Sequence, residues 1–193
     1  YKNKIYFYIN CTVKQVDPKN QKMTLTDGSA FSYDKLLLAT GSTSALPPID
    51  EINTSRGVFT LRTVEDVINI SRSIAGSKTF TLIGGGLLGI EAGNALRKLG
   101  LSVMVVEFFD RLLPRQLDGE GSAMLQKHME TMGLKFILGA QSKAIKDEGS
   151  VRKLSLNDGR IIESEFILVS AGIKPNTTLA REAGISVNKG ILV

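Results

Sequence analysis

Three glycines and one carboxylate carry the clearest chemistry in this 193-residue chain. Gly84, Gly86 and Gly89 stand at G-x-G-x-x-G spacing, and Glu107 follows the last of them by eighteen residues. Glycine at the first position permits a sharp exit from a strand. At the second it removes a side chain where a pyrophosphate must approach the backbone, and at the third it lets a helix pack close to the sheet. A helix that starts there aims its free N–H groups and the positive end of its dipole at the phosphates. A carboxylate at the position of Glu107 accepts hydrogen bonds from the two hydroxyls of an adenosine ribose and repels a 2′-phosphate, which favours NADH over NADPH. The plainer alternative is a glycine-rich turn that binds nothing, and context separates the two.

The context is the stretch Lys78 to Glu107, KTFTLIGGGLLGIEAGNALRKLGLSVMVVE. It reads as strand, tight turn, helix and second parallel strand, with Glu107 at the end of that strand. Around it the chain is built of short elements. Ile5 to Val16, Lys22 to Thr26 and Ala30 to Tyr33 read as β-structure with Asp27-Gly28 as a turn, and Lys35 to Thr40 as a compact apolar strand. Gly57 to Thr60 is a further strand. Thr63 caps a helix whose Val64, Val67, Ile68, Ile70 and Ile74 share one broad face, with Glu65 and Asp66 in its first turn. Asp118 opens a helix that ends at Gly133, and His128 sits in it as an ordinary helix residue. Leu134 to Leu138 is a strand, Ala140 to Glu163 a three-stranded meander turning at Asp158-Gly159, and Phe166 to Ala171 a buried strand. A short helix from Thr177 to Ala183 leads to a terminal strand near Gly190.

Composition narrows the function classes. The net charge of +5 comes from 24 basic and 19 acidic residues mixed along the chain. No basic block is interleaved with aromatics, so the charge reads as solubility with mild steering of anions, and nucleic-acid binding is not expected. The lone Cys11 excludes an internal disulfide and is expected to be buried and structural. With His128 as the only histidine, no zinc site can form, and no metal ligands are assigned. No run of 18 apolar residues and no opening signal peptide is present, which points to a cytoplasmic protein that does not engage a membrane.

An internal repeat adds a second unit. Lys22 to Gly41, KMTLTDGSAFSYDKLLLATG, aligns without a gap on Lys153 to Gly172, KLSLNDGRIIESEFILVSAG, at an offset of 131 residues. Chance likeness between two hairpins is the competing explanation. In the second copy the glycine fingerprint lies 88 residues before Gly172; the same distance from Gly41 falls before Tyr1. The chain is therefore expected to be a fragment of a protein with two dinucleotide-binding units, the second inserted into the first.

With these residues assembled, the sequence resembles the pyridine nucleotide-disulfide oxidoreductase superfamily of FAD-dependent enzymes. Lys35 to Ser42 resembles its ATG motif, Gly84 to Glu91 (GGGLLGIE) its NADH motif, and Ser170 to Asn176 (SAGIKPN) its second nucleotide-proximal strand. Phe59 to Asp66, RLLPRQLD at Arg111 to Asp118, and Thr178 to Val193 are most similar to the branch that holds NADH-dependent nitrite reductase large subunits and NADH:rubredoxin reductases. The resemblance implies an α/β fold: a Rossmann-like parallel sheet with an antiparallel β-meander, the NADH domain complete at 57–172. It also implies a partial FAD domain at 1–56, and a return segment to that domain at 173–193. By the same resemblance Gly84, Gly86, Leu87, Leu88 and Gly89 line the NADH pyrophosphate and Glu107 holds the ribose. Gly172 lies under the cofactor, and Thr40 and Gly41 belong to the FAD site.

Glu91 would reach the nicotinamide and flavin side and orient the carboxamide, as the one catalytic candidate; the alternative is a carboxylate favoured only by the helix dipole. The cofactors implied are NAD(H) and, in the full-length protein, FAD. The reaction implied is hydride transfer from NADH to flavin, then electron transfer to an iron-sulfur or sirohaem domain or a small redox protein. The readings left open are a nitrite reductase; a rubredoxin or ferredoxin reductase or an NADH oxidase; and a non-catalytic NADH-sensing module. A homodimer is compatible with all three. The fragment alone is expected to be inactive and to bind NADH better than FAD.

Overall fold

The computed structural model describes residues 5–193. In chain order it holds β1 (Val13–Asp17), β2 (Lys22–Leu25), β3 (Ala30–Ser32), β4 (Ser42–Ser44), β5 (Val58–Thr60), α1 (Val64–Ser73), β6 (Thr79–Ile83), α2 (Leu87–Lys98) and β7 (Ser102–Val106). Then follow α3 (Gly119–Thr131), β8 (Lys135–Ile137), β9 (Ser142–Glu148), β10 (Val151–Leu156), β11 (Ile161–Ser164), β12 (Phe166–Val169), β13 (Ile173–Pro175) and α4 (Thr178–Glu182). The chain divides into two compact units, one running from Ser44 to Ile173 and the other made of the stretches up to Thr43 and from Lys174 onward.

The larger unit is built on a parallel sheet of five strands in the order β5-β12-β6-β7-β8. Both of its faces are covered, so its strands read in the sequence as continuous apolar runs. Alternate residues serve alternate layers. Phe80, Leu82, Val103, Val105 and Leu168 pack against Ile70 of α1 and Ile74 just beyond its end, Ile90 and Leu96 of α2 and Met129 of α3. Ile83, Val106, Ile167 and Val169 face the other way, onto Ile145 and Leu154 of the β9–β10–β11 meander.

Each helix begins as its sequence dictates. Thr63 caps α1 in a capping box with Asp66: the Asp66 N–H donates to Thr63 Oγ1 at 3.2 Å, and Asp66 Oδ2 accepts from the Thr63 N–H at 2.7 Å. Asp118 caps α3, its Oδ1 accepting from the Gly121 N–H at 2.8 Å. The broad apolar face expected of α1 is not buried as a whole. Ile70 and Ile74 are in the core while Val64, Val67 and Ile68 are exposed, because α1 follows the sheet's edge strand and has only one side to pack against.

Residues 44–56, assigned from the sequence to the stretch before the NADH domain, pack with the larger unit, which begins at Ser44. Ile49 and Ile52 are buried with Ile83, Val106 and Ile145, and the Asp50 N–H donates to the Lys143 carbonyl at 3.0 Å. Arg152 holds the end of this segment. Its Nε donates to the Arg56 carbonyl, and its Nη1 donates to the Ser150 and Glu165 carbonyls at 2.7 and 2.9 Å. Glu165 ties the start of β6, accepting from the N–H groups of Lys78 at 2.6 Å and Thr79 at 2.9 Å.

The smaller unit carries the β1–β2–β3 meander, with α4 packed on β1. Its hairpin repeats the second one pair by pair. Lys22, Met23 and Thr24 face Ser32, Phe31 and Ala30, and at the same offset Lys153, Leu154 and Ser155 face Glu163, Ile162 and Ile161. The turns match as well: Gly28 N donates to the Leu25 carbonyl and Gly159 N to the Leu156 carbonyl, each at 3.2 Å.

Four expectations for this unit fail. Lys35 to Thr40 alternates between half-buried and exposed side chains but pairs with no strand among the described residues, leaving Leu37 87% exposed. Of Ile5 to Val16 only the part from Val13 is a strand, and the apolar side chains of Ile5 to Ile9 are exposed. Cys11 is consequently exposed and not buried. The terminal strand near Gly190 is a single bridge between Val187 and Ile191. The first two share a cause, since extended chain without a neighbouring strand to pair with does not become a buried strand. Of the 1–56 segment, residues 1–4 lie outside the described residues. No helix among the described residues is long and apolar enough to cross a membrane.

Candidate functional site

A cleft of about 610 Å³ opens at the C-terminal ends of β6, β7 and β12, within the larger unit. Strand order places it where the chain leaves β6 for β7 on one side and β12 lies on the other, the switch point at which open α/β sheets bind ligands. The backbone there is tightly drawn. The Gly84 N–H donates to the Val106 carbonyl and the Ser170 N–H to the Ile83 carbonyl, each at 2.8 Å, which extends the parallel ladder by one residue beyond the named strands.

The fingerprint glycines differ in what surrounds them. Gly84 has φ +116°, and a Cβ on it would strike the Ser170 carbonyl oxygen. A Cβ on Gly89 would strike the carbonyl oxygen of Gly84, so α2 can close onto the turn only because that side chain is missing. Gly86 is the reverse case: nothing lies within 4 Å of its Cβ position, which faces open space in the cleft. Gly86 is also the N-cap residue of α2 and has no side chain with which to cap it, and the first turn holds no acidic residue. Of the three long helices, α2 alone begins without a capping side chain, and its start, with Leu87 and Leu88, lines the cleft. Those unbonded N–H groups and the helix dipole suit an anionic ligand.

Glu107 is 6% exposed and lines the same cleft. Its Oε2 accepts from the Gly85 N–H and its Oε1 from the Phe109 N–H at 2.9 Å. Each carboxylate oxygen can accept a further hydrogen bond, so the group still fits a ribose diol while it also holds the glycine turn against the loop after β7. Gly172, at φ +107°, lies in the cleft wall.

The remaining expected site residues are elsewhere. Glu91 is exposed on α2, one turn beyond Leu87 and Leu88, and is not among the cleft-lining residues. Thr40 and Gly41 are in the smaller unit, where the Thr40 hydroxyl donates to the Asn176 carbonyl at 2.6 Å and the Asn176 N–H to the Gly41 carbonyl at 3.0 Å.

Sequence reasoning passed over five residues. Gly85 was only the x of the motif, yet a Cβ on it would stand 2.8 Å from Leu112 Cδ2 and 3.1 Å from Glu107 Oε2. Gly93, one turn after Gly89, leaves 3.1 Å to Leu82 Cδ1 and so keeps α2 close to the sheet. Leu113 has φ +49°, a left-handed backbone that is rare for a bulky residue and is here set into the cleft wall. Phe108 and Phe109 stand at the cleft mouth directly after the acid. The triple glycine and the double phenylalanine were visible as letters, but no spacing rule assigned them a task.

Residues 1–193 match a family profile described as pyridine nucleotide-disulphide oxidoreductase. The chain is 39% identical over 192 residues to the NAD(P)H nitrite reductase of Bacillus subtilis (strain 168), covering 99% of this chain and 24% of that protein. It is 35% identical over 184 residues to an NADH oxidase of Methanocaldococcus jannaschii, covering 92% of this chain and 41% of that protein. Among solved structures it is similar to the ferredoxin reductase for the CYP199A2 system from Rhodopseudomonas palustris. There the TM-score is 0.90 at 27% identity, over 96% of this chain and 46% of that one. The chain thus spans about a quarter to a half of the length of these relatives.

Proposed function

The chain belongs to the pyridine nucleotide-disulphide oxidoreductase family, and on that footing we propose that its larger unit binds NADH and presents the nicotinamide to a flavin. The observation that carries this reading is the joining, in one cleft, of an uncapped helix start and a buried carboxylate at the ends of adjacent parallel strands.

The backbone of Gly84, Gly86, Leu87, Leu88 and Gly89 holds the pyrophosphate, with the N–H groups of the first turn of α2 as donors. Glu107 accepts from the adenosine ribose hydroxyls and keeps a 2′-phosphate out by charge repulsion. Gly172 gives the dinucleotide room against the wall. The FAD site includes Thr40 and Gly41 in the smaller unit. Bound flavin supplies hydride acceptance and the onward passage of single electrons. Glu91 keeps its assignment to the carboxamide on the strength of the family pattern; its exposure leaves the carboxylate available for that contact.

The proposed activity of the whole protein is NADH-dependent reduction of nitrite, in line with the relative at 39% identity. The competing readings are an NADH oxidase and a rubredoxin or ferredoxin reductase, in line with the other two relatives.

The test is calorimetric titration of the chain with NADH and NADPH. NADH binding at least about tenfold tighter is expected from the charge at Glu107. Equal affinities would sink the assignment of that residue, and no binding of either nucleotide would sink the site.

A further inference from the structure

Directly after Glu107 the chain sets out two phenyl rings that remain about half or more exposed. Phe108 is 62% and Phe109 48% exposed, and both line the mouth of the cleft. They meet edge to face, with centroids 5.4 Å apart and planes at 84°. Their backbone is fixed. The Phe109 N–H donates to Glu107 Oε1 at 2.9 Å, and the Phe109 carbonyl accepts from the Gly139 N–H at 2.7 Å. A few residues on, Leu112 and Leu113 are buried in the core. The segment is thus pinned on both sides of the pair while the rings stay in water, where they forgo the burial their area would otherwise gain. A rigid, exposed aromatic surface beside a carboxylate suited to a ribose is what a flat heteroaromatic base needs.

We propose that Phe108 offers its face to the adenine of the bound dinucleotide and that Phe109, held at right angles to it, fixes the tilt of that ring. The inference rests on the reading of this cleft as an NADH site and extends it from the phosphates and ribose to the base. Two perpendicular rings cannot both stack on one flat base. Phe108, the more exposed, takes the base; Phe109, hydrogen-bonded through both its N–H and its carbonyl, is the positioning residue. The base is adenine and not nicotinamide because the rings follow Glu107, the ribose ligand of the adenosine half, by one and two residues. Recognition by stacking alone carries no hydrogen-bond reading of the purine edge, so hypoxanthine in place of adenine is tolerated.

The experiment titrates the 193-residue chain and its Phe108→Ala, Phe108→Trp and Phe109→Ala variants with NADH and with ADP-ribose, which keeps the adenine and lacks the nicotinamide. Phe108→Ala should weaken both ligands equally, by about tenfold or about 1.4 kcal/mol, and Phe108→Trp should stay within about twofold of the parent. Phe109→Ala should fall between these, with melting temperatures unchanged because both rings are exposed. Undiminished binding by Phe108→Ala, or a loss seen with NADH but not with ADP-ribose, overturns the stacking assignment while leaving the NADH site in place. A parent chain that binds neither ligand overturns both.

Discussion

Replacing Glu107 by glutamine tests whether the carboxylate is part of the cleft's frame as well as a ligand for ribose. Two backbone N–H groups, those of Gly85 and Phe109, converge on its two oxygens. A carboxamide offers one oxygen and one NH2, so it can serve one of these donors but must turn a second donor toward the other. The loss is one hydrogen bond to a charged acceptor, about 1.5 to 3 kcal/mol, at a position where water cannot easily replace it. The working value is about 2.5 kcal/mol, which in a domain of this size lowers the melting temperature by about 5 to 10 °C. Differential scanning calorimetry of parent and Glu107→Gln at pH 7 reads that shift. Nucleotide titration of the same samples should show NADH weakened by about tenfold or more, because a neutral acceptor replaces a charged one. NADPH should lose less, since the repulsion of its 2′-phosphate goes with the charge. A Glu107→Gln protein that melts within about 1 °C of the parent would refute the framing role and the reasoning built on it.

Gly86→Ala and Gly89→Ala should separate binding from packing. The first adds a methyl group in open cleft space and should weaken NADH by about tenfold or more with a stability change below about 1 kcal/mol. The second drives a methyl group into the Gly84 carbonyl and should cost about 1 to 3 kcal/mol or more in thermal melts. Glu165→Gln should show its effect through pH. Hydrogen bonds from the N–H groups of Lys78 and Thr79 hold the Glu165 carboxyl below the ordinary value of 4.5 in the folded protein. Its contribution, about 1 kcal/mol after solvent screening, is therefore fully present above pH 4.5 and lost as pH falls through the depressed value. The melting-temperature gap between parent and variant should close on acidification; a gap that is constant with pH would contradict this account.

The fingerprint unit was legible because its signals are local. Apolar runs at Thr79–Ile83 and Ser102–Val106, glycines at fixed spacing and one acid determine strand, turn, helix and strand without reference to the rest of the chain. The repeat was legible for the same reason: a three-residue loop ending in Asp27-Gly28 or Asp158-Gly159 sets hairpin register. What failed depended on distant partners. Lys35 to Thr40 has the composition of a strand, but pairing decides the matter and composition does not. The burial expected of Cys11 followed from a strand that does not form. At α1 the apolar face is real, but the sheet edge determines how much of it is covered. At the site, the letters of Gly85, Leu113 and Phe108 gave no hint of their work, because a close approach, a left-handed backbone and a fixed exposed ring appear only once the loop after β7 meets the glycine turn.

The open start of α2 has a thermodynamic consequence for the larger unit. A helix that neither caps its first N–H groups nor places an acid beside them leaves part of the unit's stabilisation outside the polypeptide, to be supplied by whatever anion occupies the cleft. Ligand occupancy then acts as a term in the folding equilibrium, about 2.7 kcal/mol at a free concentration one hundred times Kd. Turnover of such a protein in a cell would follow the supply of reduced nucleotide as well as the strength of its own core.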